Sequence, residues 1–197
     1  IAMGALKQGL TEEELPDIVQ RWRESNPRIR DLWYKVENAA RECVQTGRPQ
    51  GINGLMIAME GDQGTNQWFM TITLPSGRKL YYARPFVTQG QYSTDALHYW
   101  GMNQTTHKWE VVDTWGGKLV ENCVQAIARD CLAENIERLE TAGYPIVFHV
   151  HDEIIADCPP EKVNLDNVIR IMSQPIPWAP GLPLNADGWI GTYYTKD

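Results

Sequence analysis

The chain has 197 residues, with 18 Lys and Arg against 25 Asp and Glu, and its formal net charge is −7. That balance excludes a generally basic nucleic-acid coat, although it permits a local basic groove. Apolar residues make up 43% and charged residues 22%, a composition typical of a folded domain and not of a disordered tail. No apolar stretch reaches the roughly 20 residues that a bilayer requires, so we expect no membrane-spanning segment.

The cysteines do not have the spacing of a zinc module. They are Cys43, Cys123, Cys131 and Cys158, and no two of them form a CxxC pair. The first residues lack the basic start and long apolar run of a signal peptide. We therefore expect free and mostly buried thiols in a reducing cytosol.

Two amphipathic helices are predicted at the beginning of the chain. Thr11-Glu12-Glu13-Glu14 has the pattern of a capping box, and the helix that it opens should stop near Ser25-Asn26-Pro27. A second helix is predicted from Pro27 to about Gln45, with Gly47 as its terminator.

The middle of the chain has the residue pattern of strands. Residues 68–74 and 79–82 are rich in aromatic and β-branched side chains, and Pro75-Ser76-Gly77 between them predicts the turn of a hairpin. Residues 85–106 are ambiguous, and residues 108–112 are compatible with a further strand.

A long helix and a second hairpin are predicted after Gly116-Gly117. The helix should run from Lys118 to about Thr141, because apolar residues recur there at helical spacing. Residues 146–157 place two apolar arms around a polar tip, which predicts a tight β-hairpin, and a short helix is expected from about Glu161 to Met172. This order of elements predicts an α+β fold, with an antiparallel sheet and helices packed on one face.

The polar tip of the second hairpin is the strongest candidate for chemistry. Asp152 and Glu153 are adjacent there, and two neighbouring carboxylates repel each other unless a cation or solvent offsets their charge. Carboxylate oxygens suit Mg²⁺ or Mn²⁺. A second ion about 4 Å away would complete the arrangement used for in-line phosphoryl displacement. That chemistry requires at least one further carboxylate from elsewhere.

Two other interpretations of this tip remain open from the residues alone. In the first, it is an exposed acidic turn with His149 packed against the core. In the second, it is a zinc site in which His149 and His151 lie on one face of a strand at i, i+2, although the sequence shows no third ligand.

One side of the long helix carries polar side chains that donate to phosphates, sugars and base edges. The spacings i, i+4, i+7 and i+11 align Lys118, Asn122, Gln125 and Arg129. Such a stripe is often only a solvated face. However, the short connection at residues 143–145 should hold the helix against the hairpin strand, so the combination favours a nucleic-acid groove beside a metal site.

Two segments of the chain together resemble a known family. Residues 116–130, followed by Val150-His151-Asp152-Glu153-Ile154, are similar to the C-terminal palm of family A DNA polymerases, of the type found in bacteriophages and prophages. The similarity extends from about Gly9 to Lys196-Asp197. It implies magnesium-dependent nucleotidyl transfer (manganese is also possible) to a primer 3′-OH. The implied partners are primer–template DNA and deoxynucleoside triphosphates, and the implied location is the cytoplasm of a bacterial host.

The resemblance also implies roles for residues of the hairpin tip. Asp152 matches the second catalytic aspartate, which is a metal ligand beside the primer end. Glu153 matches the acidic neighbour of that aspartate near the metals, and His151 matches a residue that contacts the primer terminus.

On the long helix, the resemblance concerns the minor-groove side of the nascent base pair. Gln125 matches a glutamine that reads it, and Asn122 or Glu121 corresponds to an asparagine there. Lys118 and Arg129 are expected to contact backbone phosphates, an expectation that rests on the helical stripe and not on the family pattern.

Two parts of the family pattern have no match in the chain: the Asp-Tyr-Ser-like strand with the other metal-binding aspartate, and the fingers helix, which Ile1-Ala2-Met3-Gly4 is expected to follow. We therefore expect residues 1–50 to be a helical remnant of the fingers and residues 51–197 to be the palm subdomain, with a single compact unit as an alternative. The remaining polymerase segments would lie upstream. The isolated chain is expected to be inactive, because one carboxylate cluster cannot hold both ions in line. The alternative function is a non-catalytic nucleic-acid-binding module derived from the palm.

Overall fold

The computed structural model describes residues 9–89 and 95–195. The expectation for Ile1–Gly4 and the last residues of the predicted similarity, Lys196-Asp197, therefore lie outside the described residues. The described chain is α+β, as predicted, with four α-helices and eight strands. Within it, no helix combines the length and the apolar character needed to cross a membrane.

The helices are α1 (Leu15–Ser25), α2 (Pro27–Thr46), α3 (Gly116–Thr141) and α4 (Leu165–Met172). The strands are β1 (Gln50–Ile52), β2 (Leu55–Asp62), β3 (Gln67–Thr73), β4 (Lys79–Gln89), β5 (Asp95–Met102), β6 (Trp109–Thr114), β7 (Ile146–Val150) and β8 (Glu153–Ala156). Short 3-10 turns lie at Gln63–Thr65 and Pro160–Lys162.

The chain divides into two compact units. The first comprises Ile1–Ile72 and Lys79–Asn122, and the second comprises Thr73–Arg78 and Cys123–Asp197. Helix α3 thus contributes residues to both units. The assignment of residues 1–50 to the fingers and 51–197 to the palm stays a prediction.

The two N-terminal helices form close to their predicted positions. Helix α1 begins at Leu15 and not directly after Thr11, since the Thr11 hydroxyl donates to a Glu14 carboxylate oxygen (2.9 Å) instead of accepting from a helix amide. The Thr11 backbone amide donates to the same oxygen at 2.8 Å. These hydrogen bonds, the backbone one foremost, lower the pKa of the Glu14 carboxyl. Helix α2 ends as predicted at Gly47, which has the left-handed φ of 71°.

Strands β1 to β6 form one six-stranded sheet in which consecutive strands are neighbours. The predicted hairpin of residues 68–82 is confirmed as β3 and β4. The β1–β2 hairpin was not predicted, although Asn53-Gly54 forms its turn with φ values of 46° and 79°. Asn-Gly is a strong hairpin signal because both residues adopt positive φ at low cost, so this dipeptide could have revealed the two strands.

Helix α2 packs against the sheet and forms the core of the first unit. The buried residues of the helix are Val36, Ala39, Ala40 and Cys43, and those of the facing strands include Leu55, Ile57, Met70, Ile72 and Leu97. Their burial shows that α2 packs an apolar face against the sheet.

Gly116 fixes the beginning of α3 within the first unit. Its backbone amide donates to a Glu37 carboxylate oxygen at 2.9 Å. A Cβ at Gly116 would overlap the backbone carbonyl oxygen of Trp33, so the close approach of the two helices requires glycine. A Cβ at Gly117 would meet first the Trp115 side chain, 3.2 Å from Nε1.

The second unit has its own small core at the end of α3. Leu139, Tyr144 and Ile171 are buried there, and Ile146 of β7 and Ile154 of β8 pack against them. This packing anchors both arms of the β7–β8 hairpin.

The segment after α4 is attached to α3 through Arg138. The Arg138 guanidinium donates to the backbone carbonyl oxygens of Gln174 and Pro175, each at 3.1 Å. The attachment therefore uses a side-chain donor and main-chain acceptors.

The four cysteines are free, as predicted. Three of them are buried and Cys158 is half-buried. Burial raises the pKa of the Cys123 thiol to about 11.

Candidate functional site

The predicted hairpin tip is confirmed as a tight turn between β7 and β8. Val150 and Glu153 form the last strand pair, so His151 and Asp152 make the turn itself. His151 has a φ of 52°, in the left-handed region that L-residues seldom occupy. Such a conformation costs of order 1 kcal/mol or more, and this kind of strain is frequent at functional sites.

The two acidic residues of the tip are both exposed. The Asp152 carboxylate has no hydrogen bond or ion pair with another residue of the described chain. The Glu153 carboxylate accepts one hydrogen bond through Oε2, from the Tyr194 hydroxyl at 3.0 Å. Both groups thus retain oxygens that are available to an external ligand.

These carboxylates fit a magnesium site that is completed by other groups. Mg²⁺ is commonly held by one or two protein carboxylates together with waters and substrate phosphates. Within residues 9–89 and 95–195, no three His, Cys, Asp or Glu side chains are gathered closely enough to hold a metal by themselves. The donor set at the tip therefore suits a shared ion and not a closed structural site. The zinc interpretation, with His149 and His151, gains no third ligand from these residues.

Helix α3 reaches the hairpin through Arg129. An Arg129 guanidinium nitrogen lies 3.3 Å from Nε2 of His149 on β7. A guanidinium only donates, so in this contact His149 Nε2 is the accepting atom. The His149 side chain is exposed, so the expectation that it packs against the core is wrong, whereas the acidic turn is exposed as that interpretation has it.

The turn between β3 and β4 holds α3 within the second unit. The Ser76 hydroxyl and the Arg78 Nε atom donate to the two carboxylate oxygens of Asp130, each at 2.5 Å. A second Arg78 nitrogen donates to the backbone carbonyl of Ala126 at 2.8 Å. We call the set of Ser76, Arg78 and Asp130 the turn clamp. It fixes the stretch of α3 that carries Arg129.

The other predicted residues of the helical stripe lie in different surroundings. Gln125 is exposed and belongs to the second unit. Lys118 and Asn122 belong to the first unit. Lys118 Nζ lies 3.1 Å from a Glu121 carboxylate oxygen, and the half-buried Asn122 amide donates to the Tyr82 hydroxyl at 3.1 Å. The nucleic-acid roles of all four stripe residues stay predictions.

The C-terminal segment adds a residue to the tip that sequence patterns did not predict. Besides its bond to Glu153, Tyr194 packs edge-on against Phe148, with ring centroids 5.3 Å apart and planes at 80°. The hydrogen bond to Glu153 raises the pKa of the Tyr194 phenol, and desolvation and the Glu153 charge act in the same direction. The two partners are 41 positions apart, and no local pattern links them.

The α+β fold agrees with the prediction, and the class of protein that the sequence resembles is the nucleotide-polymerising enzymes. Over its full length, the chain is 47% identical, in 199 aligned residues, to a DNA polymerase of Bacillus phage SP02. The predicted resemblance to a phage DNA polymerase is therefore confirmed. The chain spans 30% of the length of that polymerase, so the similarity is to a segment of it. No protein-family model and no solved structure matches the chain.

Proposed function

We propose that the chain is the C-terminal part of a DNA-directed DNA polymerase of family A, which adds nucleotides to a primer 3′-OH. The observation that carries this proposal is the 47% identity to a phage DNA polymerase over the whole chain. The exposed carboxylates at the tip of an anchored hairpin support a role in binding a divalent cation.

In this proposal the hairpin tip lies at the primer end. The Asp152 carboxylate binds a divalent cation, and Glu153 lies beside it. Mg²⁺ or Mn²⁺ bound there would stabilise the charge that develops on the phosphoryl oxygens. His151, held by its strained backbone next to Asp152, contacts the primer terminus.

In the same proposal, helix α3 contacts the DNA. Gln125 is exposed and contacts the minor-groove side of the new base pair. Arg129 uses one nitrogen for His149 and retains further N–H groups, which would donate to a backbone phosphate.

The isolated chain supplies only part of a two-metal site. Two ions in line require carboxylates on both sides of the reacting phosphate, and within the described residues no three His, Cys, Asp or Glu side chains lie close enough together to hold a metal. We expect other segments of the polymerase to supply the remaining carboxylate and to bind the incoming nucleotide. Primer extension by the purified chain with Mg²⁺ and nucleotides would contradict this.

The test measures binding of a fluorescent primer–template to the chain by anisotropy, with and without Mg²⁺. Low salt is required, because a net charge of −7 makes the binding of phosphates weak and salt-dependent. We expect Mg²⁺ to strengthen binding by the unmodified chain and Asp152→Asn to abolish that gain. The matched control is Asp157→Asn, which removes another exposed carboxylate from the same unit and should retain the gain.

If the unmodified chain binds the primer–template equally well with and without Mg²⁺, the metal role of Asp152 is refuted. It would favour the alternative, a non-catalytic nucleic-acid-binding module.

A further inference from the structure

We infer that Tyr194 is a positioning residue for the acidic tip, and that its hydroxyl orients the Glu153 carboxylate toward the metal. This inference rests on the proposed function, in which Glu153 lies beside a divalent cation. It assigns a role to the C-terminal segment, which contains none of the predicted site residues.

The hydrogen bond between Tyr194 and Glu153 engages one carboxylate oxygen only. A carboxylate accepts, so the phenol is the donor, and it occupies Oε2 at 3.0 Å. The Oε1 atom has no hydrogen-bond partner within the described chain. The Glu153 side chain is therefore held in one orientation and still presents a free oxygen.

Tyr194 contacts both strands of the hairpin. Its hydroxyl binds Glu153 on β8 and its ring packs edge-on against Phe148 on β7. The Phe148 contact restrains the ring, so the hydroxyl is directed at Glu153 by packing as well as by the hydrogen bond.

Hydrogen bonds of this kind matter at metal sites in general. Carboxylates that ligate a metal are held by outer hydrogen-bond partners, and the loss of such a partner commonly costs about 10- to 100-fold in metal affinity or activity. Since the tip provides few ligands, the orientation of each one should weigh strongly on metal affinity.

The adjacent Tyr193 provides a matched control. Its side chain is 74% exposed, whereas that of Tyr194 is 40% exposed. Tyr193→Phe and Tyr194→Phe remove the same atom from neighbouring positions, but only the second change removes the bond to Glu153.

The experiment titrates the full chain with Mn²⁺ and measures free Mn²⁺ by electron paramagnetic resonance. We expect Tyr194→Phe to raise the half-saturating Mn²⁺ concentration about tenfold and Tyr193→Phe to leave it unchanged. If Tyr194 acts through Glu153, the double variant Tyr194→Phe/Glu153→Gln should bind Mn²⁺ as Glu153→Gln alone does, because the two effects are not additive.

Three outcomes overturn the inference. An unchanged Mn²⁺ midpoint for Tyr194→Phe, with or without a lower melting temperature, leaves Tyr194 a purely structural role. Additive effects in the double variant show that Tyr194 does not act through Glu153. A Mn²⁺ midpoint that Asp152→Asn leaves unchanged refutes the proposed metal site itself. This variant therefore distinguishes failure of the proposed function from failure of the inference alone.

Discussion

Replacing Asp130 with asparagine tests how the turn clamp holds helix α3. The Asp130 side chain is 11% exposed and accepts from Ser76 and Arg78 through its two oxygens. Asparagine has almost the same shape but carries no charge and only one accepting oxygen. The variant therefore removes the ion pair and leaves one donor without its acceptor.

The magnitude follows from the exposure of the two partners. A hydrogen bond to a charged group contributes about 1.5–3 kcal/mol to stability, and a neutral one about 1 kcal/mol. The Arg78 side chain is 45% exposed, so water recovers part of the loss at the guanidinium. We expect Asp130→Asn to lower the free energy of unfolding by about 2 kcal/mol.

Urea unfolding followed by tryptophan fluorescence measures this loss. With the urea dependence of a protein of this size, about 2 kcal/mol per molar, the midpoint should fall by about 1 M. Asp157→Asn is the control, because it removes the same charge from an exposed position and should shift stability by less than about 0.5 kcal/mol. Equal midpoints for the two variants would show that the turn clamp does not stabilise the fold.

Three further predictions concern single positions. Gly116→Ala should lower the free energy of unfolding by about 1–3 kcal/mol, since its Cβ would overlap a backbone carbonyl of α2, whereas Gly117→Ala should be tolerated. Thermal melting compares the two variants, and similar losses of stability in both would contradict the packing argument. His151→Gly should raise the free energy of unfolding by up to about 1 kcal/mol because glycine adopts positive φ without strain, while His151→Ala should give no such gain. The midpoints of urea unfolding compare the two variants, and equal midpoints would contradict the strain at His151. At about pH 8, iodoacetamide should label Cys158 well before Cys123, because Cys123 is buried and its pKa is about 11. Mass spectrometry of the native chain measures the labelling of each cysteine, and equal rates at the two positions would contradict the burial of Cys123.

Much of the fold could be predicted because its signals are local. The helical periodicity and the Gly47 terminator gave α2 almost to the residue, and the turn residues at 75–77 gave the β3–β4 hairpin. The start of α1 was predicted too early, because the Thr11–Glu14 hydrogen bonds form ahead of the helix instead of inside it. The strand pattern of β1 and β2 was missed although Asn53-Gly54 marks their turn.

The candidate site could be predicted only where its residues are contiguous. Asp152 and Glu153 follow each other at a predicted hairpin tip, and this local pattern marked them as candidates. Tyr194 is 41 residues away from Glu153 in the sequence, and Ser76 and Arg78 of the turn clamp are 54 and 52 residues away from Asp130. Contacts at such separations depend on how the chain folds back, and no local spacing of residue types encodes them.

The attachment to α3 of the segment after α4 has a consequence for how related chains can diverge. Arg138 recognises carbonyl groups, which every amino acid possesses, so the side chains at Gln174 and Pro175 contribute nothing to this contact. Lysine cannot replace the arginine easily, because its single ammonium lacks the planar fork that reaches two acceptors at once. Variation should therefore accumulate on the accepting side of the contact, while the donating side stays constant.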